Sequence, residues 1–115
     1  MMTNVTIIYD NNIIIGFEMI GHAGFNTKGP DILCASLSAA SQLTVNGLID
    51  QVGVMYDDLV LEACEKQGTL FVMMPDDIHY NMAAQHIYKS FELYVEMLAD
   101  EYPDYVRVER SYLDD

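Results

Sequence analysis

The chain has 115 residues, 51% of them hydrophobic, with 18 acidic against 5 basic side chains and a formal charge of −13. That length accommodates one domain with a real core, and the apolar content excludes a disordered chain. The acidity argues against direct nucleic-acid binding, which needs clustered Lys and Arg to meet phosphates, and it is compatible with attraction to a basic partner.

Residues 4–9 and 13–20 are rich in Val and Ile and flank the polar stretch Asp10-Asn11-Asn12, so they read as two strands joined in a hairpin. A loop from 23 to 30 follows, with Gly24 and Gly29 inside it. From Asp31 to about 49 the chain reads as a helix, with Leu33, Leu37, Ala40, Thr44 and Leu48 at helical spacing. With so few charges this helix is expected to be largely buried, packed on a sheet or at a subunit contact. Gly47 and Gly53 mark its weakening and end.

Residues 59–64 and 69–74 form a second strand pair around the turn Lys66-Gln67-Gly68. Pro75-Asp76-Asp77 opens a second helix running to about 99, with Ala83, Ile87, Phe91, Tyr94 and Leu98 as its core stripe. After Pro103, residues 105–112 alternate as a last strand. The order is ββαββαβ: one α+β domain over residues 1–115, with a mixed or antiparallel sheet and two helices. The spacing gives element order but not strand order. No apolar run has the length of a membrane span, and no basic, apolar and cleavable leader opens the chain. A cytoplasmic protein off the membrane is the expectation, its two cysteines kept as thiols.

The segment from Gly21 to Ala40, GHAGFNTKGPDILCASLSAA, concentrates the chemistry. Asp31 is placed to cap the helix, which sets Cys34 in the first turn near the positive end of the helix dipole, a position that favours the thiolate. His22, 12 residues upstream, can fold back as general base. Ser38, one turn beyond Cys34, shares its face; it either touches substrate or bonds back to a helix carbonyl. Gly21 and Gly29 are the hinges of the loop that joins the two reactive residues. Spacing alone leaves a plain alternative, in which Cys34 is a small buried hydrophobe and Asp31 only a cap. Cys64 reads as a packing residue.

His79 and His86 lie seven positions apart on a helix, about 10.5 Å along its axis, too far to share a metal ion. Asp57-Asp58 and Asp76-Asp77 lack the spacing of a calcium loop and read as turn and cap residues. Neither a phosphate-binding glycine loop nor a Gly-x-Ser-x-Gly elbow is present, so no metal or cofactor is expected.

Gly21-His22-Ala23, a short loop, then Gly29-Pro30-Asp31-Ile32-Leu33-Cys34-Ala35 and Ser38 resemble the ribosomal-processing cysteine proteases of bacteria, the Prp family. Length and element order agree over essentially the whole chain, while the diagnostic residues sit in this one segment. The resemblance implies a cysteine endopeptidase with a Cys34–His22 dyad. It also implies the substrate, a basic ribosomal protein precursor: the twenty-seventh protein of the large subunit, from which an N-terminal extension is removed. Family members are typically dimeric, so a homodimer is expected. Aromatic residues before the family's cleavage point suggest an apolar groove beside the site. The alternative from a different class is a non-enzymatic ribosome-assembly or protein-binding factor, which needs neither His22 nor Cys34. A thiol redox or acyl-carrier-like enzyme is disfavoured by the lack of a Cys-x-x-Cys pair.

Overall fold

The computed structural model describes residues 2–21, 31–64, 69–75 and 81–113. Strands β1 (Thr3–Asp10) and β2 (Ile13–Ile20) form the expected hairpin. Asn11 and Asn12 turn it with φ of 51° and 69°. Two successive positive φ values match the right-handed strand twist, and asparagine tolerates them better than most residues. Helix α1 (Asp31–Gly47) follows and continues through a five-residue π turn, Leu48–Val52, to Gly53 in the left-handed region. Strands β3 (Val60–Cys64) and β4 (Thr69–Met73), helix α2 (Met82–Glu101) and strand β5 (Val106–Tyr112) complete the chain.

The sheet order is β3-β4-β2-β1-β5. β5 runs parallel to β1, and the other three pairings are antiparallel, which makes the sheet mixed. α2 supplies the crossover that the parallel pair requires. Both helices lie on one face. Val5, Ile7, Phe17, Met19, Val72 and Val106 of the sheet meet Leu33, Leu37 and Leu48 of α1 or its π turn, and Tyr88, Phe91 and Val95 of α2. Each such side chain, fully buried, contributes roughly 1.5–3 kcal/mol. Phe17 sits at the centre, with Phe91 at 4.2 Å and Tyr88 edge-on at 6.4 Å between ring centroids. Gly16 lets β4 close on β2, since a Cβ there would lie 2.3 Å from the Val72 carbonyl oxygen.

Five expectations change. First, α2 begins at Met82 rather than at Pro75-Asp76-Asp77: Asn81 is its cap, its side chain accepting from the Ala84 N–H at 2.9 Å. Residues 76–80, including His79, fall outside the described residues. Second, the core stripe of α2 is Ala84, Tyr88, Phe91, Val95 and Leu98, while Ala83 and Tyr94 are exposed. The apolar arc of α2 is wider than its core contact, so two stripes one residue apart compete in the sequence. The sheet takes the one that seats Tyr88 against Phe17 and lets its hydroxyl donate to the Ile15 carbonyl at 3.4 Å. Burial pushes the Tyr88 phenol pKa up.

Third, Asp31 is the first helical residue, which makes Cys34 the fourth residue of α1. Fourth, Ile32–Val52 is long and apolar enough to cross a membrane by length and composition. A search for an unbroken apolar run passes over it because Ser, Thr, Asn and Gln interrupt the pattern without adding charge. Nor is α1 largely buried. One flank packs on the sheet, where Ser41 and Thr44 are satisfied by donating to the Leu37 and Ala40 carbonyls at 2.6 and 2.8 Å. Its opposite flank is open.

A polar cluster closes the end of the sheet at the β1–β2 turn. Tyr9 donates to Glu92 Oε2 at 2.5 Å and stacks on Tyr112. Arg110 bridges Glu92 at 3.1 Å and also pairs with Glu96. Burial, reinforced by the Glu92 carboxylate, pushes the Tyr9 pKa up to about 12.

Candidate active site

The opposite end of the sheet carries the site. β2 leads directly into Gly21, whose φ of +85° lies in the left-handed region. A Cβ at this position would approach the Met2 carbonyl oxygen to 2.7 Å. Thr3, a buried polar residue at the start of β1, donates its hydroxyl to the Gly21 carbonyl at 3.3 Å. The chain therefore leaves the sheet in a direction set by three constraints: a backbone angle glycine favours, a close backbone approach and a side-chain hydrogen bond. Thr3 was not legible as a site support, because its partner lies 18 residues away. Gly21 was legible, as a glycine immediately after a strand.

His22 and Gly29 lie outside the described residues, as do the Asp31 and Cys64 side chains. The chain re-enters at Asp31, and α1 brings Cys34 round at the end of its first turn. With Asp31 as the first helical residue and Pro30 lacking an N–H, an α-helix leaves the N–H groups of Asp31, Ile32 and Leu33 without an intrahelical partner. Helix geometry gives the Cys34 N–H a place inside the ladder, so the first-turn donors precede the thiol. Cys34 is half-buried and outside any disulfide. Leu33 and Leu37 beside it are buried and anchor the turn on the sheet.

Ser38 is exposed, one turn further along the Cys34 flank. The back-bond to a helix carbonyl that was its alternative role is made instead by Ser36, Ser41 and Thr44. Among the described residues no group of three or more His, Cys, Asp or Glu could hold a metal ion.

The described residues form an apolar groove on the flank of α1 away from Cys34. It has a volume of about 750 Å³ and runs between α1 and α2, lined by Ile32, Ala39, Leu43, Ile87 and Tyr94 among others. At 3.6 residues per turn, Leu43 lies two and a half turns beyond Cys34 and points from the opposite side of α1.

A five-stranded sheet with two helices on one face, and a thiol in the opening turn of the helix that follows the first hairpin, define a single-domain α+β protein with a cysteine centre. The family model for the cysteine protease Prp matches residues 2–107. The chain belongs to this family and is a cysteine protease. It is 30% identical over 97 residues to the ribosomal processing cysteine protease Prp of Bacillus subtilis (strain 168), covering 83% of this chain and 84% of that one. Among solved structures, SMU.848 from Streptococcus mutans superposes with a TM-score of 0.86 at 25% identity, over 97% of this chain and 96% of the other. The ribosomal processing protease Prp from S. aureus, in complex with a substrate peptide, gives 0.80 at 22% identity, over 96% and 100%; at that identity the likeness concerns the fold.

Proposed function

We propose that this protease removes the N-terminal extension of a basic large-subunit ribosomal protein, the twenty-seventh in the bacterial series, using Cys34 as nucleophile and His22 as its base. The observation that carries the reading is the place of Cys34 in the opening turn of α1, 12 residues beyond the histidine that follows Gly21 in the sequence. His22 takes the thiol proton, Cys34 Sγ attacks the scissile carbonyl, and His22 returns the proton to the leaving amine. The resulting thioester is then hydrolysed by water. The N–H groups of Asp31, Ile32 and Leu33 are the available donors for the oxyanion. Asp31 orients the loop or His22, and Ser38 meets the substrate on the same flank as the thiol.

The charge of −13 supports a basic substrate and opposes direct contact with nucleic acid. The enzyme works in the cytoplasm, off the membrane, as a homodimer. Incubating wild type and Cys34→Ser with the ribosomal precursor, and reading the products by mass, tests the reading. A single cut releasing the N-terminal extension, lost in Cys34→Ser, is expected. An intact precursor bound by both proteins would instead support the non-enzymatic assembly factor.

A further inference from the structure

Both helices pack on one face of the sheet, and among the described residues no helix covers the other. Strand alternation decides what that open face presents. Phe17 and Met19 of β2 point into the core, so Glu18 between them points the other way. The strand register then lines up five side chains in one row across the sheet: Glu62 of β3, Phe71 of β4, Glu18 of β2, Thr6 of β1 and Glu109 of β5. Phe71 is half-buried between two carboxylates, and its diagonal neighbours Ile20 and Val60 stand 43% and 44% exposed. None of the three glutamates has an ion pair or side-chain hydrogen bond among the described residues. Arg107, one row nearer Gly21, is the one cation on this face among those residues.

We infer that this open sheet face is an exosite for a basic polypeptide, namely the substrate chain on the carboxyl side of the cut. The inference rests on the proteolytic reading above and adds a contact away from the thiol. Charge selects the occupant. Unpaired glutamates gain from Lys or Arg, whereas a second copy of this acidic chain, or a nucleic acid, brings like charge to them. The phenyl ring between the carboxylates supplies a surface for the aliphatic stems of those cations and an attraction to their heads. Neighbouring strands are about 4.8 Å apart, which sets Glu62 and Glu18 roughly 10 Å from each other across Phe71. One cation cannot bridge that distance, so the row suits a segment with two or more.

The distances also suit a substrate engaged at Cys34. Glu18 precedes Gly21 by three residues, about 10 Å along β2 from the thiol end of the sheet. The helix and sheet layers stand roughly 10 Å apart. A chain leaving the thiol and rounding that end of the sheet therefore covers about 20 Å to reach Phe71, or about six extended residues. Residues well past the cut make the contact, and the first few cannot.

Fluorescence anisotropy with Cys34→Ser protein reads binding without cleavage. Two probes are compared, precursor peptides ending about three and about fifteen residues past the scissile bond. The long probe is expected to bind about tenfold tighter, an advantage lost at about 1 M salt, where the Debye length is about 3 Å. Glu18→Lys/Glu62→Lys should remove the advantage and leave the short probe's affinity unchanged. Asp50→Lys/Asp100→Lys, on the helical layer, changes the net charge equally and should weaken the long probe no more than about twofold. Circular dichroism checks folding, and Glu18→Gln/Glu62→Gln serves if the charge-reversed protein does not fold. Equal affinity for the two probes, an advantage that survives both sheet-face variants, or equal weakening by the helical-layer variant would overturn the exosite. So would loss of short-probe binding in Glu18→Lys/Glu62→Lys, which would put the face in the cleft of the thiol. A precursor cut by wild type, with equal probe affinities, sinks the exosite alone. An uncut precursor whose long probe still needs Glu18 and Glu62 sinks the cleavage reading alone.

Discussion

The two flanks of α1 are built from the same residue types and do opposite things. On one, Cys34 and Ser38 rise beside the buried Leu33–Leu37 row. On the other, Ile32 and Leu43 project over a floor of alanines into an apolar groove shared with α2. Both flanks need small residues, but for different reasons. The thiol flank must admit a peptide backbone to Sγ, whereas the groove flank leaves room between α1 and α2. A single uncharged helix can serve both because its third flank, packed on the sheet, supplies the stability. One consequence is that chemistry and stability should be separable by mutation.

The largest effect expected is on chemistry. Cys34→Ala should reduce single-turnover cleavage by roughly 10⁴–10⁶-fold, leaving the melting temperature that of wild type. A parallel loss of stability would show that the flanks are not independent. His22→Ala should cost roughly 10²–10⁴-fold, and the Cys34→Ala/His22→Ala double variant should be scarcely slower than Cys34→Ala alone. Full activity in His22→Ala would sink the dyad.

Effects on the frame come next. Gly16→Ala forces a Cβ against the Val72 carbonyl in the middle of the sheet and should cost about 2–4 kcal/mol in denaturant unfolding. Gly21→Ala meets both the left-handed angle and the Met2 carbonyl, for about 1–3 kcal/mol. It should also slow cleavage beyond what its stability loss explains, because it redirects the chain at His22; Gly16→Ala, further from the thiol, should not.

Smaller again is Ser38→Ala, expected to raise KM a few-fold with no change in melting temperature, against no change in either for Ser36→Ala. The smallest effect belongs to the far end of the sheet. The folded-state pKa of Tyr9 lies above its unfolded value, so its contribution is fully present below pH 10. It declines as the unfolded chain ionises first, between pH 10 and about 12. Tyr9→Phe should remove that part of the alkaline loss, and at neutral pH it should cost about 1 kcal/mol for the hydrogen bond to Glu92. Identical stability profiles for wild type and Tyr9→Phe from pH 9 to 11 would rule this out.

Local signals carried most of the fold. The hairpin, the two helices, the second strand pair and the last strand all follow from period and turn chemistry, and Asn11-Asn12 and Gly53 do what their residue types permit. Cys34 and Gly21 were also legible, since a cysteine opening an apolar helix and a glycine closing a strand are sequence-local facts.

What the sequence left undetermined shares a physical cause: its answer depends on partners far along the chain. The parallel pairing of β5 with β1 joins residues about a hundred positions apart, and no local period records it. The Thr3 bond to Gly21 and the need for glycine at position 16 exist only once strands lie side by side. The start of α2 was decided by Asn81, whose side chain caps the Ala84 N–H once the turn has formed. Its buried stripe was decided by Phe17, because an apolar arc that is too wide has no preferred centre until something packs against it. The same excess width, invisible as such in one dimension, becomes an open groove on the reverse side of the helix that carries the nucleophile.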